Sequence, residues 1–170
     1  SEAGLPALLA RFGLEYRAPF DATATGLPDE SVDVFVSRAV LEHIRPDTIR
    51  GIFRESRRIL KPDGRVCHIV DNSDHWSHVD DGLSRVNFLK YPEWAWPFFC
   101  VNPLDYQNRL RHVDYIRMLK TAGFRIVHDP SVPDPVAVAA VRAMRVAKRF
   151  RKLTPGQRGV ITSYLVAARA

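Results

Sequence analysis

Cysteine is nearly absent. Only Cys67 and Cys100 occur, so no disulfide framework can hold the fold, and a reducing, cytoplasmic setting is expected. Long apolar runs are missing too: none approaches the ~18 uncharged residues that a membrane span needs. Nor does the chain open with a charged start, an apolar block and a small-residue cleavage site, the pattern that marks export. Acidic residues stop at Asp134, while Arg142, Arg145, Lys148, Arg149, Arg151, Lys152, Arg158 and Arg169 follow it. The net charge is −3 over residues 1–85 and +9 over residues 86–170. Phosphate-reading segments usually add a known module or stacking aromatics, and only Phe150 stands among these arginines. Nucleic acid is therefore disfavoured as a partner, and the basic stretch reads as a solvated helix face. With 46% hydrophobic and 26% charged residues in 170, the composition excludes a disordered tail and suffices for the core of one domain.

Segments of two hydrophobic periods alternate, which predicts an α/β chain. Glu2 to Phe12 carries Leu5, Leu8, Leu9 and Phe12 at helical spacing, with Gly13 at the stop. A short strand is predicted at Leu14–Pro19, then turns from Asp21 to Ser31. Val32–Ser37 reads as a buried strand. Asp47 can cap a helix whose Ile49, Ile52, Phe53, Ile59 and Leu60 share one face. Lys61-Pro62-Asp63-Gly64 turns the chain into a second buried strand centred on Val66–Val70. Strand, helix and strand in forty residues predict a parallel pair with a right-handed crossover. Residues 72–111 hold all three tryptophans and only a weak helical pattern around Leu83–Leu89, which fits a lid or binding insertion. A helix at His112–Ala122 stopped by Gly123, a strand at Phe124–His128, a basic helix over residues 136–153 and a last strand at Ile161–Ala168 complete the reading.

In an open parallel sheet, ligands sit beyond the carboxyl ends of the strands. That rim would collect Asp21-Ala22-Thr23, Ser37-Arg38-Ala39 and Asp71-Asn72. Asp21 and Asp71 can equally well serve only to cap or end strands. The runs DATATGLPDESVDVFVSRAVLEHI, FRESRRILKPDGRVCHIVD and YIRMLKTAGFRIVH, in that order and spacing, resemble the C-terminal two-thirds of a class I S-adenosylmethionine-dependent methyltransferase of the type 11 kind. The match covers roughly residues 14–128; the three blocks together are specific, and each alone is weak. The resemblance implies an incomplete Rossmann-like three-layer sandwich, mostly parallel, with strands 4-5-7-6 of that family and an antiparallel last strand. It implies S-adenosylmethionine as cofactor, with Asp21 and Ala22 at the adenine and Ser37, Arg38 and Ala39 at the methionine end. Val40, Leu41, Glu42 and His43 match the segment after the family's fourth strand.

Two departures stand out. Asp63 replaces the first glycine of the family's Lys-Pro-Gly-Gly-like turn. More seriously, no GxGxG run followed by an acid is present. Residues 1–170 are accordingly expected to be a single methyltransferase domain shortened at its N-terminus, with the cofactor site only partly present. The outer edge of Val32–Ser37 would then be unpaired, a liability proteins rarely leave open. It is expected to be covered by a second copy, as a homodimer or through strand exchange, by a relocated N-terminal segment, or by a separate missing fragment.

The predicted activity is methyl transfer to a small-molecule acceptor, sugar-like acceptors included, under a lid at 72–111. Methyl transfer needs positioning and, for oxygen or nitrogen acceptors, removal of a proton. His75 and His78, in the insertion, are the candidate bases; His43 is a third, although the end of an apolar stretch favours a packing role. Trp76, Tyr106, Asn108 and Arg109 are candidate acceptor contacts, within a polar string that also holds Gln107 and Arg111; the same string can simply anchor a loop. Asp71, Asn72, Asp74, His75, His78, Asp80 and Asp81 cluster within eleven residues, and Asp-Asn there resembles metal-dependent catechol-type O-methyltransferases. Those enzymes also need an Asp where this chain has Ser37-Arg38, and an Arg opposes a divalent cation, so no catalytic metal is expected. Two rivals remain: a non-catalytic partner-binding half-domain, and a nucleic-acid methyltransferase gripping phosphates with Arg142–Arg158.

Overall fold

The computed structural model describes residues 4–99 and 106–170. The start of the expected first helix at Glu2 and Ala3, and Cys100 with the rest of 100–105, lie outside the described residues. Helix α1 (Gly4–Arg11) ends before Gly13, whose φ of 66° suits a residue without Cβ. The strand expected at Leu14–Pro19 does not form. That stretch is irregular, with Leu14 and Tyr16 exposed, because no described strand lies beside it to take its backbone hydrogen bonds.

Strand β1 (Val32–Arg38) is followed by helix α2 (Pro46–Ile59) and strand β2 (Leu60–Asp71). β1 and β2 are parallel, as the strand–helix–strand spacing predicts. α2 forms because Pro46 starts it and Ile49, Ile52, Phe53 and Ile59 make one buried stripe. Its cap is the extended Arg45 rather than Asp47, which instead lies in the first turn, where a carboxylate meets the positive end of the helix dipole. The expected Lys61–Gly64 turn is absorbed into β2 as a bulge: pairing jumps from Val32 with Leu60 to Val34 with Arg65. A Cβ on Gly64 would sit 2.8 Å from the Asp33 carbonyl oxygen and 2.8 Å from Leu60 Cγ. Gly64→Ala should therefore cost about 2 kcal/mol by overpacking. Urea denaturation with an unchanged midpoint would refute this.

Helix α3 (His112–Thr121) stops before Gly123 at φ 87° and leads into strand β3 (Phe124–His128). Helix α4 (Pro135–Ala143) is shorter than the helix expected over 136–153. It ends at Met144, after which the chain docks Ala147 against the Leu89 carbonyl and makes a 3-10 turn at Lys148–Phe150. A short α5 (Pro155–Gly159) carries a Thr154–Gln157 capping box. Strand β4 (Thr162–Arg169) then inserts antiparallel between β2 and β3, giving the order β1-β2-β4-β3. That is the order and orientation expected of strands 4-5-7-6.

One core lies between the sheet and α2 with α3, and includes Phe53, Val66, Tyr115, Leu119 and Leu165. A second packs Val86, Phe88 and Leu89 against Val141, Val146 and Phe150. Here the expected helix around Leu83–Leu89 shrinks to a 3-10 turn at Asn87–Lys90. β1 is less buried than its apolar composition predicts. Val34 is 51% and Val36 68% exposed, because β1 pairs only with β2 among the described residues, and these two side chains face away from α2. No described helix is long and apolar enough to cross a membrane.

Candidate functional site

The ends of β1 and β2 are held together by short-range chemistry. The Ser37 hydroxyl lies 2.8 Å from His68 Nδ1 inside the sheet–helix layer, so Arg38 is turned to the opposite, exposed face. Ala39 has φ 50° and donates its N–H to the Ile69 carbonyl at 2.9 Å. This left-handed step, uncommon for a residue with a Cβ, sends the chain into the 3-10 turn Leu41–His43. Asn108 clamps that turn, donating to the carbonyls of Leu41 at 2.8 Å and Ile44 at 2.9 Å, while its own N–H meets the Glu42 carbonyl.

Glu42 is 2% exposed, and among the described residues no side chain hydrogen-bonds to its carboxylate, which faces only the backbone N–H groups of Glu42 and Asp71. Burial raises its pKa above the ordinary carboxylate value, and the nearby Asp71 charge adds to the effect. His43 donates from Nδ1 to the Tyr106 carbonyl at 3.1 Å, since a carbonyl can only accept. At the end of β2, Asp71 Oδ1 accepts from the Ser73 N–H. Its Oδ2 stands 3.7 Å from both His75 Nε2 and His78 Nε2, which is ion-pair rather than hydrogen-bond distance. The His75–His78 turn is capped by Asp74, which accepts from Trp76 N and from Asn87 Nδ2. Ring centroids are 5.0 Å apart for His43 and His75 and 5.2 Å for His75 and His78. His43 thus meets His75 and His78, from a turn more than thirty residues further on, beside two carboxylates at one end of a parallel strand pair.

Beside them, Asp74, Trp76, Asn87, Tyr91, Trp96 and Phe99 line a cavity of about 140 Å³. Trp76 is half-exposed at its mouth. Tyr106 is half-buried, with the Arg45 guanidinium 5.1 Å above its ring. The rest of the polar string points inward. Gln107 donates to the Ser73 carbonyl and accepts from His75 N. Asn108 is engaged at both ends, its Oδ1 accepting from Leu110 N and Tyr115 Oη. Arg109, with its side chain wholly buried, holds the carbonyls of Phe88 and Tyr91, pairs with Glu93 and stacks on Trp96 at 4.6 Å. Asn108 and Arg109, which the sequence offers as acceptor contacts or loop anchors, hold carbonyls of the chain itself in this structure.

Asp21 precedes a segment that lies along α2. Ser31 N donates to the Ile59 carbonyl, Thr25 to Glu55, and the Thr23 methyl packs on Gly51, so the segment runs from the end of α2 toward its start. The Arg58 and Thr25 hydrogen bonds hold the Glu55 pKa down to about 2. Asp21 Oδ1 accepts from Thr23 N and Thr23 Oγ1, which lowers its pKa. Ala22 packs on the first core. The basic tail is partly internal: Arg149 pairs with Glu93, Arg169 with Glu30, and Arg151 and Arg158 donate to nearby carbonyls.

Comparison with known proteins accords with this geometry. A family model described as a methyltransferase domain matches residues 9–68. The chain is similar to the Burkholderia thailandensis 1,6-didemethyltoxoflavin-N1-methyltransferase, solved with 1,6-didemethyltoxoflavin and S-adenosylhomocysteine, at 17% identity and TM-score 0.56, over 97% of this chain and 56% of that one. It is also similar to a Pyrococcus horikoshii protein (14%, TM-score 0.55, 97% and 64% covered) and to a SAM-dependent methyltransferase from Methanosarcina mazei (14%, TM-score 0.52, 87% and 64% covered). In each case this chain spans less than two thirds of the other structure's length.

Proposed function

We propose that this chain, which has the fold of class I S-adenosylmethionine-dependent methyltransferases, takes part in methyl transfer from S-adenosylmethionine to a small acceptor with a flat face. The observation that carries the reading is the meeting of Asp71, His75 and His78 beside the aromatic cavity at the carboxyl ends of β1 and β2. The residues present suit one side of the cofactor. Asp21 Oδ2 makes no hydrogen bond among the described residues, so it can accept from an amino group, and Ala22 and Ala39 put no bulk in the way. When bound, S-adenosylmethionine supplies the electrophilic methyl group. Trp76, Tyr91, Trp96 and Phe99 stack the acceptor, and the segment 72–111 acts as its lid. His78, 46% exposed in its side chain, takes the acceptor's proton, and Asp71 stabilises the imidazolium that results.

The full-length protein, given labelled S-adenosylmethionine and a panel of phenolic, heteroaromatic and sugar acceptors, tests this. His78→Ala should lower kcat about 100-fold with little change in KM, and Asp21→Asn should weaken cofactor binding about tenfold. Absence of cofactor binding, or full kcat in His78→Ala, would remove the proposal.

A further inference from the structure

We propose that Glu42, His43 and His75 form a binding site for one divalent first-row transition metal of the Zn2+ class. One donor atom from each residue lies within 4.8 Å of the other two. Two imidazoles and one carboxylate make a donor set that suits such ions and leaves open positions for water or another ligand. Metal–ligand bonds of ~2.1 Å imply donor separations of roughly 3.3 Å, so binding would draw the three donor atoms closer together.

Two further observations point to a cation. The Glu42 residue is only 2% exposed, and among the described residues no side chain donates to either carboxylate oxygen; only the backbone N–H groups of Glu42 and Asp71 act on it, and burial outweighs them. A buried carboxylate so poorly compensated is rare and calls for an occupant of opposite charge. Second, His43 Nδ1 donates to the Tyr106 carbonyl, which fixes the tautomer and presents Nε2 as a lone pair. Ligating histidines characteristically make that outer hydrogen bond. Asp71, 3.7 Å from His75 Nε2, adds negative charge next to the cluster. Arg38, the cation that argued against a metal in the sequence, belongs to the opposite, exposed face of β1. The site shares His75 with the rim cluster described above, but it does not rest on the methyl-transfer reading, and its test reads metal binding rather than activity.

Chelator-stripped full-length protein titrated with Co2+ provides the test. One Co2+ per chain should bind with visible d–d bands and be displaced by Zn2+. Glu42→Gln and His75→Ala should each weaken binding at least about tenfold, while His128→Ala, an exposed histidine on β3, should not. Glu42→Gln also guards against misfolding: without metal it should melt no lower than wild type, because the poorly compensated buried carboxylate is gone, yet it should lose the metal-induced rise. The proposal is overturned by the absence of stoichiometric Co2+ or Zn2+ binding below about 1 mM (a free energy of about −4 kcal/mol). Binding that survives Glu42→Gln, or that His128→Ala weakens equally, also overturns it.

Discussion

Arg111→Met should destabilise the protein by about 4 kcal/mol, enough to move the thermal midpoint by roughly 10 °C. The Arg111 guanidinium is wholly buried and donates to three backbone carbonyls: Asn72 at 2.5 Å, Arg158 at 2.6 Å and Val160 at 2.6 Å. These belong to the end of β2, the end of α5 and the entry to β4, so one planar fork joins three segments distant in sequence. Methionine fills the volume but leaves the three carbonyls without donors, and that unmet demand, rather than lost packing, sets the size of the effect. Burial pushes the Arg111 pKa down to about 10, still well above neutral, so the group stays charged and its hydrogen bonds stay charge-assisted. Arg111→Lys should recover little, because an ammonium cannot reproduce the fork. Equal stability of wild type, Met and Lys variants in denaturant titrations would show that the carbonyls find other partners. Activity should fall with stability, since Asn72 directly follows Asp71.

Much of this was readable in the residues, and the parts that were not share a physical cause. Val32–Ser37 and Val66–Val70 declare themselves by β-branched runs, and the Ile49–Ile59 stripe by its period. The rim histidines could be named because a parallel pair puts its chemistry at one end. For Arg109 and Arg111 the residues left two readings open, acceptor contact or loop anchor, because composition cannot reveal a burial compensated by carbonyls; the contacts present are those of an anchor. Glu42 was passed over as a site residue. Its signal was a single acid in the otherwise mostly apolar run Ala39-Val40-Leu41-Glu42-His43-Ile44, and the 3-10 turn there buries both Leu41 and Glu42. Leu14–Pro19 failed for a different reason. A strand is a property of a pair, and the described chain offers that stretch no neighbour. The polar string and the two carboxylates are therefore one construction: Gln107, Asn108 and Arg111 fix the backbone at Ser73, Leu41, Ile44 and Asn72, and so set the spacing between Glu42, His43 and His75.

Acid should weaken the fold through His68 by about 3 kcal/mol between pH 6.5 and pH 4. His68 is 1% exposed; its Nδ1 meets the Ser37 hydroxyl, its Nε2 has no partner among the described residues, and Phe35 and Phe53 rings lie 6.0 and 5.3 Å away. Burial among uncharged neighbours lowers its pKa from 6.5 to about 4. The unfolded chain therefore takes up a proton near pH 6.5, whereas the folded chain resists until about pH 4. Across that window the unfolded state binds more protons, so stability is full above pH 6.5 and declines by about 1.4 kcal/mol per unit as the pH falls, levelling off below pH 4. His68→Leu removes the titrating ring and should flatten this part of the curve, while the acid-sensitive carboxylates contribute equally to both proteins. Denaturant midpoints measured from pH 7 to pH 4 should diverge steadily, with the variant gaining on wild type at the acid end. Parallel curves, or an NMR titration showing His68 protonated at pH 6, would mean that the ring reaches solvent and that the layer between β1, β2 and α2 opens far more readily than its packing implies.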